Sequence, residues 1–367
     1  MTVATALVAG VDATPQLAEE AVRVALEKLE GQHPRAALVF LSEEFNRNAR
    51  EALRSVSRIT ATTQIAGAVA MGVCTEEGWV VDRPAVAILL LCGDDGLAPT
   101  GTGLHLSLAG TAHLLSDWQS GPPRFGGCFS RLGGGFAHRQ APPATPVWSH
   151  GRLASDGRAE VCFPGMDIDW GVSLGLELLG SSSLVTGVEG YDLHTLGQRP
   201  ALEVLKEVLP DDLRQRSPLP LHQLVAVIAD GNPEEALAAG RARIVPVLAG
   251  NLDRSLTLAR RVTPGAQITW GLRQPSGAQH EMSATLARLR QKAPHPEFGL
   301  MFSCIGRGPY FYGSDDLDLR AFRDAYPGMP LIGAYGSGQL VPTPNGGARL
   351  LNNSVLAAVA SRHAAAS

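Results

Sequence analysis

The sequence predicts an α/β (α+β) protein of two pseudo-repeated halves, each a mixed β-sheet covered by helices. Three observations lead there. Apolar runs of strand length alternate with amphipathic stretches of helical period. The same order of elements occurs near both ends of the chain, and 367 residues exceed what one typical core supports.

The elements follow in order. Thr14-Pro15 reads as a helix start, with a capping hydroxyl and a pre-set φ; Leu17, Ala21, Ala25 and Leu29 then recur every fourth residue until Gly31. Residues 36–41 form an apolar strand, 46–56 a helix, and 64–68 and 85–90 two further strands. The last quarter repeats this order, with strands at 298–303, 331–335 and 354–359 and a helix at 316–325. Phe40 to Gly67 is 27 positions and Phe302 to Gly333 is 31; Gly67 to Val86 is 19 and Gly333 to Val355 is 22. Such spacing is the mark of a duplicated architecture. Between the copies lie Pro122 to Gly127, Gly133-Gly134-Gly135 and the proline-rich 141–146, read as loops. No phosphate-binding glycine motif follows a strand. A short helix at 201–209 marks the boundary between the halves, giving domains 1–200 and 201–367.

Composition narrows the functional classes. With 45% hydrophobic and 18% charged residues and a net charge of -4, the chain is globular and carries no basic excess for nucleic acid. The cluster Arg241, Arg243, Arg254, Arg260, Arg261 reads as a solvated face. The first ten residues lack a basic region, and the longest apolar stretch, Ala85 to Cys92, is too short for a bilayer. A cytoplasmic location without membrane contact is the expectation. Five scattered cysteines (Cys74, Cys92, Cys128, Cys162, Cys304) encode neither a disulfide framework nor a zinc site.

Candidate chemistry concentrates at Phe302-Ser303-Cys304-Ile305-Gly306-Arg307-Gly308, where an apolar strand ends in a thiol, two glycines and a guanidinium. Strand ends of layered α/β folds commonly carry ligand groups, and glycine lets backbone N–H groups come close. Arg307 offers a fork for a carboxylate or phosphate, which suits an anionic or amino-acid-like ligand. Replacing it by Ala is then expected to weaken ligand binding without unfolding the chain. Tyr335, Gln339, Asn352 and Asn353 are the further polar candidates, with Gly333 and Gly338 allowing close approach. The plainer reading is equally simple: the glycines serve turns, the asparagines cap strand ends and Cys304 packs in the core. Asp315, Asp316 and Asp318 suit a helix N-terminus better than a metal site.

Several blocks together resemble the FIST module (F-box and intracellular signal transduction), in both its N-terminal and C-terminal parts. They are Ile65 to Val73, Phe125-Gly126-Gly127, Val185 to Gly190, Leu196 to Leu202, Phe302 to Gly308, Pro330 to Gln339 and Leu350 to Ser354. The resemblance implies a small-molecule sensor passing its signal to a separate protein, since relatives are sensory modules linked to signalling enzymes or joined to F-boxes. Many relatives carry Glu where this chain has Gln339, which removes a candidate acid and favours binding over catalysis. Some relatives resemble haem-binding gas sensors, so haem is a possible cofactor. His105, His113, His138, His150 and His194 are then candidate ligands, with His105 and His113 placed two turns apart on a segment read as helix. A thiol enzyme using Cys304, with Gly306 and Arg307 as oxyanion donors, and a protein-interaction scaffold complete the alternatives.

Overall fold

The computed structural model describes residues 2–93, 96–99, 101–111, 116–130, 144–238 and 241–363. They form two compact units, Met1–Leu174 with Met282–Ser367, and Gly175–Glu281. No helix among the described residues is long and apolar enough to cross a membrane.

The first unit contains one structural pattern in three copies. The first copy comprises β1 (Val3–Ala9), α1 (Pro15–Glu27), β2 (Pro34–Ser42), α2 (Ala49–Thr60), β3 (Ile65–Ala70), a hairpin of β4 (Gly72–Thr75) and β5 (Gly78–Val81), and a return strand β6 (Ala85–Cys92). A shorter second copy follows as β7 (His105–Ala109), β8 (Arg124–Cys128), the hairpin β9 (Val147–Ser149) and β10 (Arg152–Leu153), and the return strand β11 (Arg158–Val161). The third begins with β12 (Met166–Ser173), after which the chain leaves for the second unit.

That unit is one sheet of β13 (Glu177–Glu189), β14 (Asp192–Leu196), β15 (Arg199–Pro200), β16 (Leu224–Ala229), β17 (Arg243–Gly250), β18 (Leu256–Leu258) and β19 (Gln267–Leu272). Its pairings are antiparallel throughout, in the order β13-β19-β16-β17-β18-β14-β15. Helix α3 (Ala201–Val208) buries Ala201 and Leu205 in a core that includes Trp270 and Val245, and the short α4 (Asp211–Arg214) and α5 (Pro233–Ala238) complete the unit.

The third copy resumes with α6 (Pro275–Lys292), of which Met282 onward belongs to the first unit. It continues through β20 (Phe298–Cys304), α7 (Pro309–Tyr312), α8 (Leu317–Ala325), β21 (Leu331–Gly336), the hairpin β22 (Gly338–Pro342) and β23 (Ala348–Leu351), and the return strand β24 (Val355–Arg362).

In each copy two parallel strands, β2 and β3, β7 and β8, or β20 and β21, are flanked by the antiparallel return strand β6, β11 or β24. The hairpins are exchanged in a ring. β4–β5 extends the third sheet by pairing with β21, β22–β23 extends the second by pairing with β8, and β9–β10 extends the first by pairing with β3. Gly67, Gly126 and Gly333 occupy the matching register position, facing Val39, Ser107 and Met301. At each, an added Cβ would lie 1.7, 2.1 or 2.4 Å from the facing carbonyl oxygen, closer than any side chain tolerates. Where the copies meet, Phe40, Phe302 and Phe129 form a buried triangle with ring centroids 5.8, 6.1 and 6.4 Å apart.

The two copies expected from sequence are therefore the first and third. Val86 faces Leu41 and Val355 faces Ser303, each one residue past the matched phenylalanines. Three local expectations are corrected. The Thr14 hydroxyl makes no capping bond, so Pro15 and the buried stripe of Leu17, Ala18, Ala21, Val22 and Ala25 set α1. Phe125-Gly126-Gly127 lies within β8 rather than a loop, because the strand approaches Ser107 too closely for a side chain. His105 starts a strand, since residues 105–109 are buried on both faces and pair on both edges. His113, His138 and Gly133-Gly134-Gly135 lie outside the described residues.

Candidate functional site

β20 is buried at every position and ends in a 3-10 turn over Ile305–Arg307, so Cys304 and Arg307 stand at the C-terminal end of a central strand of the third sheet. Asp316 caps α8, accepting the Leu319 N–H at 2.9 Å and the Tyr335 hydroxyl at 2.5 Å. This cap places Asp318 in the first turn of α8, facing Arg307.

The Arg307 guanidinium, 1% exposed, grips Asp318 through Nη2 at 2.8 and 2.9 Å and Nε at 3.3 Å. Nη2 also donates to the Ser173 hydroxyl at 3.3 Å and the Tyr312 oxygen at 3.4 Å. Nη1 is buried without a hydrogen-bond partner among the described residues. The charge expected to meet a ligand is thus already answered by a carboxylate. Burial works against the Arg307 charge, but Asp318 and Tyr312 more than offset it. Burial raises Asp318, Arg307 pulls it back and Asp316 adds to the rise, which together leave it at about 6. Burial likewise raises Asp316, against hydrogen bonds from Tyr335 and the Leu319 N–H. It also keeps Tyr335, Tyr312 and Cys74 firmly protonated.

A second, uncharged group surrounds Ser337. Cys304, 5% exposed, points its Sγ at the Ser337 carbonyl at 3.7 Å and lies 4.0 Å from Asn353 Oδ1. Asn352 Nδ2 donates to the same carbonyl at 2.7 Å. The Ser337 hydroxyl lies 2.9 Å from that of Ser130 and 3.5 Å from Cys128 Sγ. Ser354 donates to Gln339 Oε1 at 2.6 Å, while Gln339 Nε2 is fully buried with no acceptor among the described residues.

The sheet separates these groups. Ser173 pairs with Val355, on the face covered by α6 and α8; Ser354, the preceding residue, turns to the opposite face. The ten residues singled out from sequence therefore divide. Arg307 and Tyr335 belong to the ionic cluster under α8, and Cys304, Gln339, Asn352 and Asn353 to the uncharged group. Gly306, Gly333 and Gly338 make room for Asn353, the Met301 carbonyl and the Leu351 carbonyl, and Gly308 packs near Tyr335. Sequence reasoning passed over Ser337, Cys128, Ser130, Ser173 and Tyr312; only Ser337, lying between two singled-out glycines, carried a signal.

A family model described as the FIST N domain matches residues 35–199, and one described as the FIST C domain matches residues 201–342. The chain belongs to the FIST family. It is 26% identical over 365 residues to an uncharacterized protein of Mycobacterium bovis, covering 91% of this chain and 93% of the relative. A Mycobacterium tuberculosis protein is 25% identical over 366 residues, at 91% and 94%. A stretch of 65 residues is 37% identical to F-box only protein 22 of Homo sapiens, 16% of each chain. FIST domains are associated with signal transduction.

Haem fits the described FIST site poorly. Among the described residues no imidazole belongs to either cluster, and the Cys128 and Cys304 thiols point at the main-chain carbonyls of Thr111 and Ser337. Elsewhere His105 has Nε2 at 3.2 Å from the Gly101 carbonyl and Nδ1 at 3.9 Å from Glu160, and His194 sits near Asp253 and Glu189. His150 keeps a buried Nε2 without a hydrogen-bond partner among the described residues. No group of three or more His, Cys, Asp or Glu side chains among the described residues is arranged to hold a metal ion.

The raised Asp318 carboxyl makes stability depend on pH. Unfolded, it releases its proton near pH 4; folded, near 6. Between those values the native state holds a proton that the unfolded chain has lost, so stability falls as pH rises, by about 2–3 kcal/mol in all, and is flat above. Asp318→Asn should remove that fall, so urea titrations of both proteins at pH 4.5 and 7 should give different changes. Parallel changes would contradict the assignment.

Proposed function

We propose that the chain is a small-molecule sensor acting on a separate signalling protein, with its ligand held by the uncharged group around Ser337. One observation carries the reading. Gln339 Nε2 is a fully buried donor with no acceptor among the described residues, and leaving such a group unmade costs about 1–3 kcal/mol. A ligand oxygen that accepts from Gln339 removes that cost, and the neighbouring hydroxyls and amides supply further hydrogen bonds. Gln in place of a carboxylate suits binding rather than proton transfer. Binding between β22 and the start of β24 couples to the hairpin exchange, because β22 also pairs with β8 of another copy. A cytoplasmic location accords with signalling through a soluble partner.

Native mass spectrometry of gently purified protein tests this reading. An adduct that is lost on denaturation and is missing from Gln339→Met is the expected result, and its mass identifies the ligand. Protein without an adduct, or a Gln339→Met variant that retains it, would refute the assignment.

A further inference from the structure

The sheet of the second unit closes on itself, because β13 pairs with β19 through its first part and with β14 through its second. Side chains that alternate with core residues therefore point to its outer face. On β17, Val245 and Val247 are buried in the core, whereas Pro246 and Leu248 are exposed, the latter by 60%. Four of the six large apolar side chains exposed among the described residues, Leu184, Tyr191, Leu248 and Leu252, lie in this unit, although it is the smaller of the two. Scattered exposed leucines are ordinary, but neighbouring ones mark a contact surface.

Strand pairing makes neighbours of several. The Ala259 N–H donates to the Pro246 carbonyl at 3.0 Å, and the Leu258 N–H to the Tyr191 carbonyl at 3.0 Å. β17, β18 and the turn before β14 thus stand side by side, with Leu252 in the turn that joins β17 to β18. Arginines gather at the other end. β17 and β18 run antiparallel, so Arg243, which opens β17, lies on the side of Arg260 and Arg261, which follow β18. The Arg261 guanidinium stands over the Tyr191 ring, 5.3 Å from its centroid. Arg254, in the turn, is answered by Glu203 at 2.5 Å, but no ion pair joins Arg243, Arg260 or Arg261 to a described residue. All three are exposed in a chain of net charge -4, so this positive end is local and does not reflect composition.

An apolar strip that ends in unanswered guanidinium groups is complementary to a segment with an apolar stripe and acidic side chains. Neither β17 nor β18 has a free edge, so a partner cannot add a strand there and must lie on the face, as an amphipathic helix does. Nucleic acid would engage the arginines but leave Pro246, Leu248 and Leu252 without apolar contacts.

We propose that the outer face of β17 and β18 docks an acidic amphipathic helix of a partner protein, its apolar stripe on Pro246, Leu248 and Tyr191 and its carboxylates on Arg243, Arg260 and Arg261. The surface is separate from the group around Ser337 and does not depend on a ligand there.

Selection of a displayed library of random peptides on the full chain, with the enriched peptides then measured by fluorescence anisotropy, provides the test. Enriched peptides should combine Asp or Glu with Leu or Phe at helical spacing. Leu248→Ser should weaken them about tenfold, and Arg260→Gln with Arg261→Gln should weaken them by a similar factor and flatten their dependence on salt. These changes fall on exposed side chains, and a urea midpoint equal to that of the wild type checks that the fold is kept. Four results would overturn the proposal: no enriched peptide, enriched peptides without acidic residues, affinity unchanged in both variants, or tighter binding of a single-stranded DNA oligonucleotide, which would assign the face to nucleic acid.

Discussion

Arg307→Ala is expected to destabilise the first unit by about 3–5 kcal/mol, the usual cost of removing one partner from a buried ion pair. The sequence alone predicted a milder outcome, weaker ligand binding in an intact fold. The difference lies in Asp318, which is fully buried and would be left without its cation. Its remaining escape is to take up a proton, so the defect should be smaller at pH 5 than at pH 8. Replacing both partners, Arg307→Met with Asp318→Leu, removes the stranded charge and should recover most of the loss. Hydrogen exchange of the β20 amides reads the effect in this unit alone. A single variant as protected as the wild type, with no pH dependence, would show that the pair contributes nothing.

Phe302→Ala should cost about 3–5 kcal/mol, the range for deleting a fully buried aromatic ring. The ring touches Phe40 of the first copy and lies near Phe129 of the second, so its loss opens a cavity where all three copies meet. Rigid β-strands on each side leave little room for collapse. Phe302→Leu, which keeps most of the volume, should lose clearly less. If the two substitutions were equally mild under chemical denaturation, the triangle would be an incidental contact rather than a core.

The first and third copies were legible because their strands are apolar on both faces and their glycines recur at matched spacing. The second copy was hidden for a physical reason. No amphipathic helix pattern links β7 to β8, and Gly126, which marks the register, looks like loop punctuation beside Pro122 and Pro123. The insertion was hidden too, because a unit closed by residues on both sides of Gly175–Glu281 leaves no local signal at its edges. At the site, Arg307 was visible as a solitary guanidinium beside a strand end. Its partner was not. Ser173 is 134 residues away, and Asp318 matches a helix N-terminus as well as an ion pair. Of the group around Ser337, Cys304, Gln339, Asn352 and Asn353 were visible, whereas Ser337, Ser130 and Cys128 were not, because serine and cysteine become informative only once folding buries them together.

The ring of exchanged hairpins has a consequence for biosynthesis. The Glu76 carboxylate beside β4 receives the Leu331 N–H, a contact 255 residues away. At ordinary elongation speeds the ribosome needs on the order of ten to fifty seconds to make that stretch. During that interval the edge of β4–β5 has no native strand to join, and a nascent chain with an open edge is a template for association with its neighbours on the same polysome. Lys28, which reaches from the end of α1 to Glu77 at 2.6 Å, places a charge beside that edge while it waits.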